Sequence, residues 1–203
     1  MKRNDLRAFI ALALIPLLLL PQGVALAGFA IPGFTRPGGP ALAPPLPGAL
    51  PIESGILPEG VALDRSRPNH LEVNQSRDKV VIRWESFDIG SDASTHFNQQ
   101  GNADSVALNR IADTGVPSQI FGRLTADGKL YLVNKNGILF GEGSQVNLHS
   151  LVATSLDPVD EQALLNGQSI QLQGTGTEGS ILNEGTIQTK QGGQVVMVAP
   201  QVA

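Results

Sequence analysis

The sequence has no cysteine, one tryptophan and one tyrosine, and only 4% of its 203 residues are aromatic. Without cysteine there is no disulfide framework and nothing to acylate as a lipoprotein anchor, so stability must come from a packed core and backbone pairing. With so few aromatic rings, that core must be built from Val, Ile, Leu and Ala. Charge is also sparse: 14 basic against 18 acidic residues, a formal net of −4. An acidic balance argues against nucleic acid, which calls for a basic face to neutralise phosphates. Before Asp157 no segment shows helical periodicity. The 23 glycines and 14 prolines instead break the chain into short pieces.

The N-terminus has its own grammar. Lys2, Arg3 and Arg7 precede an apolar stretch from Ala8 to Leu20, interrupted only by Pro16, and Ala25-Leu-Ala27 then supplies a small-x-small pattern. That order is a secretory signal peptide over residues 1–27, cut between Ala27 and Gly28. The apolar stretch is shorter than the roughly 20 residues that span a bilayer, so the mature chain is expected to have no transmembrane span. Removing residues 1–27 takes away three basic residues and one acidic, leaving 11 against 17.

Residues 28–60 carry eight prolines, at positions 32, 37, 40, 44, 45, 47, 51 and 58. Proline donates no backbone hydrogen bond and fixes φ, so this stretch reads as an extended arm or as a cap laid over the end of the fold. From Val61 the texture changes. Lys79 to Trp84 alternates, with Val80, Ile82 and Trp84 on one face; Phe87 and Ile89 resume on the other parity, which places a bulge near Ser86. Further apolar runs follow at 106–111, 119–124, 129–133, 138–140, 146–148 and 151–153, then 169–172, 181–182, 186–187 and 195–199. Asp127-Gly128, Asn136-Gly137 and Asn166-Gly167 mark turns between them. Residues 158–165 are expected to form a helical turn or two. A repeat near 20 residues with Gly and Asn at corners favours a parallel β-helix over an antiparallel sandwich.

Five blocks carry a resemblance. They are Trp84-Glu-Ser-Phe-Asp-Ile-Gly90, Val106-Ala-Leu-Asn-Arg-Ile111, the stretch from Ser118 to Asn134, Asn136-Gly-Ile-Leu-Phe-Gly141, and the stretch from Val146 to Leu156. In order and spacing, over residues 61–203, they resemble the N-terminal secretion domain of two-partner secretion exoproteins. That is the filamentous-haemagglutinin family of adhesins, cytolysins and haem scavengers. The resemblance implies an all-β fold, a right-handed parallel β-helix with N-terminal capping strands. It also implies passage through the periplasm largely unfolded, and recognition by the periplasmic domains of a dedicated outer-membrane β-barrel transporter. Folding would then occur at the surface of a Gram-negative-type cell. The family's Asn-Pro-Asn-Gly-Ile turn aligns with Asn134, Lys135, Asn136, Gly137 and Ile138, with Lys135 where proline is usual. Asn134, Asn136, Gly137 and Ile138 are thus candidates for recognition by the transporter; the other reading is that they only shape a corner, since Asn and Gly tolerate positive φ. The family's Asn-Pro-Asn-Leu motif is missing, which places the chain nearer the branch with a Trp-x-Ser-Phe signature.

No residues point to catalysis, a cofactor or a metal. His70, His96 and His149 lack metal-ligand spacing, and no serine sits in a Gly-x-Ser-x-Gly context. Asp88 and Asp92, like Asp157, Asp160 and Glu161, read as solvated turn carboxylates. Arg110, inside an apolar run, reads as a structural residue bonded to strand-end carbonyls, and Trp84 as filler for the capped end of the core. The reading is a secretion-targeting domain serving adhesion or a related surface role. The alternatives are a polysaccharide-acting β-helix enzyme and a short stand-alone adhesin. A β-helix stopping at Ala203 leaves an open edge. The natural chain is therefore expected to continue, or to be truncated, with contacts to host or neighbouring-cell surfaces residing in the missing part. N-terminal sequencing of the exported chain should begin at Gly28; a chain still starting at Met1 contradicts the leader assignment.

Overall fold

The computed structural model describes residues 42–166 and 168–203. The leader, its cleavage residues Ala25, Ala27 and Gly28, the first part of the arm and Gly167 lie outside them. Strands β1 (Ile52–Glu53) and β2 (Val61–Asp64) come first. Five stacked coils follow: β3 (His70–Gln75) and β4 (Lys79–Ser86); β5 (Ser94–Asn98), β6 (Val106–Ile111) and β7 (Ser118–Ile120); β8 (Arg123–Ala126), β9 (Lys129–Val133) and β10 (Ile138–Phe140). The fourth coil comprises β11 (Gln145–Leu148) and β12 (Ser150–Thr154), an excursion of β13 (Asp157–Pro158), α1 (Glu161–Leu165) and β14 (Leu172–Gln173), and then β15 (Ile181–Asn183). The last has β16 (Thr186–Thr189) and β17 (Val195–Val198).

The strands stack into three faces. One sheet runs β2-β3-β5-β8-β11-β16, a second β1-β4-β6-β9-β12-β17, and a third β7-β10-β15. Bridges from Ile89 to Ile120 and from Ile181 to Val202 extend the third face at both ends. Successive coils pair parallel and in register, which makes the fold a parallel β-helix. Arg123 meets Gln145 across 22 residues and Trp84 meets Asn109 across 25, close to the period legible in the sequence. Among the described residues, the only antiparallel partners of the stacked strands are β1 on β4 and β2 on β3. They cover the N-terminal edge, whose unpaired backbone groups would otherwise invite association. The β1 pairing steps from Ser86 to Trp84 in one residue, which is the bulge expected near Ser86.

Inside, identical positions of each coil form aliphatic ladders such as Val80, Ala107, Leu130 and Leu151. Trp84 is fully buried, its ring edge-on to Phe87 with centroids 5.4 Å apart. Its Nε1–H donates to Asn109 Oδ1 at 2.9 Å, and Asn109 in turn donates to the Ala107 and Tyr131 carbonyls. The Asn109 amide, fully buried, is thereby satisfied. Residues 46–49 strap across the first corner: Gly90 N donates to Ala49 O and Asp92 N to Pro47 O. A Cβ at Gly90 would lie 2.1 Å from Leu46 O, so glycine is required for that close approach. Leu42 packs on Leu139, Leu182 and Phe121, outside the third face.

Two sequence-level details differ, and the helix agrees. The run 119–124 is two strands, β7 and β8, because the chain turns at Phe121-Gly122, where both N–H groups donate to Ile89 O. Strand β3 turns Leu71, Val73 and the amide of Gln75 inward, and β5 turns Thr95 and Phe97 inward; polar residues between them conceal both strands. The expected helix is α1, with Asp160 as its N-cap accepting from Gln162 N.

Two substitutions should act in opposite directions. Thr95 is fully buried between Leu71 and Leu124, and its Oγ1 has no hydrogen-bond partner among the described residues. Thr95→Val should therefore stabilise the chain by about 1–2 kcal/mol. Asn109→Ala strands the Trp84 N–H and should cost about 1–3 kcal/mol. Equilibrium denaturant unfolding checks both; equal signs would contradict the inward placement of these side chains.

Candidate functional site

The corner between β9 and β10 brings together all four candidate recognition residues. Asn134 is 1% exposed. Its Nδ2 donates to Val116 O at 3.2 Å and Ser118 Oγ at 3.0 Å, while its Oδ1 accepts from Asn136 N at 2.9 Å. Its backbone N–H reaches Thr154 O at 3.0 Å. One asparagine therefore joins the second, third and fourth coils. Gly137 N closes the turn on Asn134 O, Gly137 O accepts from Ser118 N, and Ile138 N donates to Ser180 O. Gly137 has φ +104°, and a Cβ there would sit 2.5 Å from Ser180 O. Ile138 lies in the core. Only Lys135 and Asn136 keep partial exposure.

Lys135 replaces a rigid residue with a charged tether. Its Nζ lies 3.7 Å from Asp113 and 3.9 Å from Asp157, beside a cleft of about 270 Å³ lined by Arg83, Trp84, Arg110 and Asp157. Here the sequence reading needs correction. Arg110 bonds carboxylates, not strand-end carbonyls: Nη1 donates to Glu161 Oε1 at 2.7 Å and Nη2 to Asp157 Oδ1 at 3.1 Å. Glu161 also accepts from Arg83 at 2.6 Å, so Asp157 and Glu161 are anchors of the excursion, not solvated turn groups. Asp88 likewise spans a corner, accepting from Gln119 N at 2.8 Å, and burial pushes its carboxyl above the ordinary carboxylate range against that bond. Asp92 stays exposed beside Ser91.

Two of the histidines, separated in sequence, meet on the outer face of the first sheet. His70 Nε2 lies 2.9 Å from Glu72, with His96 Nε2 3.9 Å from the same carboxylate. Their Nδ1 atoms pair with Ser94 Oγ at 2.7 Å and Thr125 Oγ1 at 2.8 Å, and Arg67 donates to Glu72 at 2.9 Å. This lattice ties the first three coils together; in-register stacking is what makes distant residues neighbours, a signal spacing alone does not carry.

Two substitutions at this corner should have opposite signs. Lys135 occupies the second position of a turn that accepts proline there, so Lys135→Pro should raise stability by about 0.4–1 kcal/mol through the unfolded state. Gly137→Ala should cost about 1–3 kcal/mol through its positive φ and the Ser180 contact. Thermal unfolding of the two variants checks the sign of each.

Comparison with known proteins places this geometry. A family model described as TPS secretion domain, TPS standing for two-partner secretion, matches residues 60–203. A heme/hemopexin-binding protein of Haemophilus influenzae is 37% identical over 125 residues, covering 62% of this chain and 13% of that protein. A protein of the same name from the Rd strain is 37% identical over 121 residues, 59% of this chain and 13% of the relative. The chain thus spans about an eighth of the length of these relatives. Among solved structures, the HMW1 secretion domain from Haemophilus influenzae aligns with TM-score 0.63 at 25% identity, over 70% of this chain and 37% of that one.

Proposed function

Because the chain belongs to the TPS secretion domain family, we propose that it is the export-targeting part of a haemagglutinin-type exoprotein, read by a dedicated outer-membrane transporter before it folds. The leader over residues 1–27 delivers it to the periplasm and is removed at Gly28. Asn134, Asn136, Gly137 and Ile138 then present their side chains and backbone to the transporter's periplasmic domains as an open segment. Residues 61–203 wind into the β-helix on emerging at the surface.

One observation carries this reading: the corner is almost wholly internal once the coils stack. Asn134 and Ile138 are 1% and 0% exposed, and their polar groups are taken up by the neighbouring coils. A receptor using Asn134, Gly137 and Ile138 can meet them only in the unfolded chain, and folding then withdraws them. That sequence of events gives export a direction without an energy source in the outer membrane. The relatives' haem and haemopexin binding belongs to proteins of which 13% is matched here; the shared part is the part that directs secretion. A polysaccharide-acting enzyme has less support, because the carboxylates that do come together, Asp157 and Glu161, are neutralised by arginines at the excursion.

Capture on the immobilised periplasmic domains of the cognate transporter tests the proposal. The chain diluted from denaturant should bind at least about tenfold more tightly, some 1.4 kcal/mol, than the pre-folded chain. Equal capture of both forms, or capture of neither, contradicts it.

A further inference from the structure

The excursion leaves the coil path after β12 and returns at β15, yet its anchors lie on the first three coils. Glu161 is central: one carboxylate oxygen accepts from Arg83 at 2.6 Å and the other from Arg110 at 2.7 Å. Arg83 and Arg110 are register partners on β4 and β6, so two like charges stand one above the other on the outer face. Directly opposed like charges weaken a sheet. A single carboxylate bridging both turns that repulsion into attraction, and Asp157 takes up the second Arg110 nitrogen. Alongside, Leu164 and Ile170 close over Val81, Leu108, Tyr131 and Val133, an apolar cluster outside the β-helix interior. The ion-pair partners are 78 and 51 residues apart. Their docking surface does not exist until the first three coils have stacked.

We propose that residues 157–166 and 168–173 form a latch that closes over the first three coils after they stack, and so governs how slowly the folded domain opens while leaving its rate of formation unchanged. Contacts absent from the folding transition state act on unfolding alone. The inference goes beyond export and needs no transporter. Trp84 is the only tryptophan, sits in the first coil and is fully buried against Phe87, so its fluorescence reports opening at the far end from the excursion's own coil.

Stopped-flow unfolding and refolding of the purified chain provide the test. Glu161→Ala and Leu164→Ala should each speed unfolding by about tenfold or more, with refolding within about twofold of the parent. Glu161→Gln, which keeps its volume and one acceptor, should give a smaller acceleration and covers the case in which a harsher variant fails to fold. Arg110→Ala should speed unfolding in the parent, and by a smaller factor in the Glu161→Ala chain, where only the Asp157 bond is left to lose and the stacked repulsion is relieved. Unfolding rates within about twofold of the parent in all three excursion variants overturn the latch, as does refolding slowed by the same factor as unfolding is accelerated. Either failure would leave the transporter reading standing, since no transporter takes part.

Discussion

No coil of this protein can satisfy its own backbone. The N–H and C=O groups of the stacked parallel strands find their partners in the coil before and the coil after, in register, and buried backbone groups left without partners are costly. Stability is therefore a property of the stack, not of any repeat within it. The devices at the N-terminal end follow from this. Strands β1 and β2 reverse direction to close the first edge, and residues 46–49 strap the remaining corner. The core shows the same dependence: Trp84 of one coil is satisfied by Asn109 of the next, which itself needs the Tyr131 carbonyl of the third.

That constraint links fold to export. A chain that gains little until several coils are assembled can be held open in transit, and it has a strong drive to close once enough of it is free. The corner at Asn134 concentrates the effect. Residues that are plain polar side chains in an extended segment become joints among three coils in the folded one. On the proposed reading, one sequence serves as a readable tag in one state and as internal masonry in the other. Lys135 fits both, since its ammonium group reaches Asp113 and Asp157 when the stack is complete.

Much of the architecture was legible because β-helix corners have strict chemistry. Short aliphatic runs, Asn-Gly corners, the parity change after Trp84 and the capped helical turn at Asp160 all reflect local backbone demands. Strands β3 and β5 were not legible, since an outward face of His, Glu, Ser and Asn leaves few inward apolar residues to mark them, Leu71 and Val73 in one and Phe97 in the other. The run through Phe121 looked continuous because that ring packs outside the third face after the turn. The roles of Arg83, Arg110, Asp157 and Glu161 were hidden for a different reason. Their pairing spans 47 to 78 residues, and only the stack with its excursion makes them neighbours.

The account stands or falls on whether the corner from Asn134 to Ile138 is inaccessible while the stack is intact. Native-state hydrogen exchange of the Asn134, Gly137 and Ile138 amides, which donate to Thr154, Asn134 and Ser180 carbonyls, measures this directly. The account predicts that all three exchange only through global unfolding, with the same free energy and denaturant dependence as the core amides of β9. Exchange through a local opening several kcal/mol below the global value would show the corner readable in the folded domain, and would contradict it.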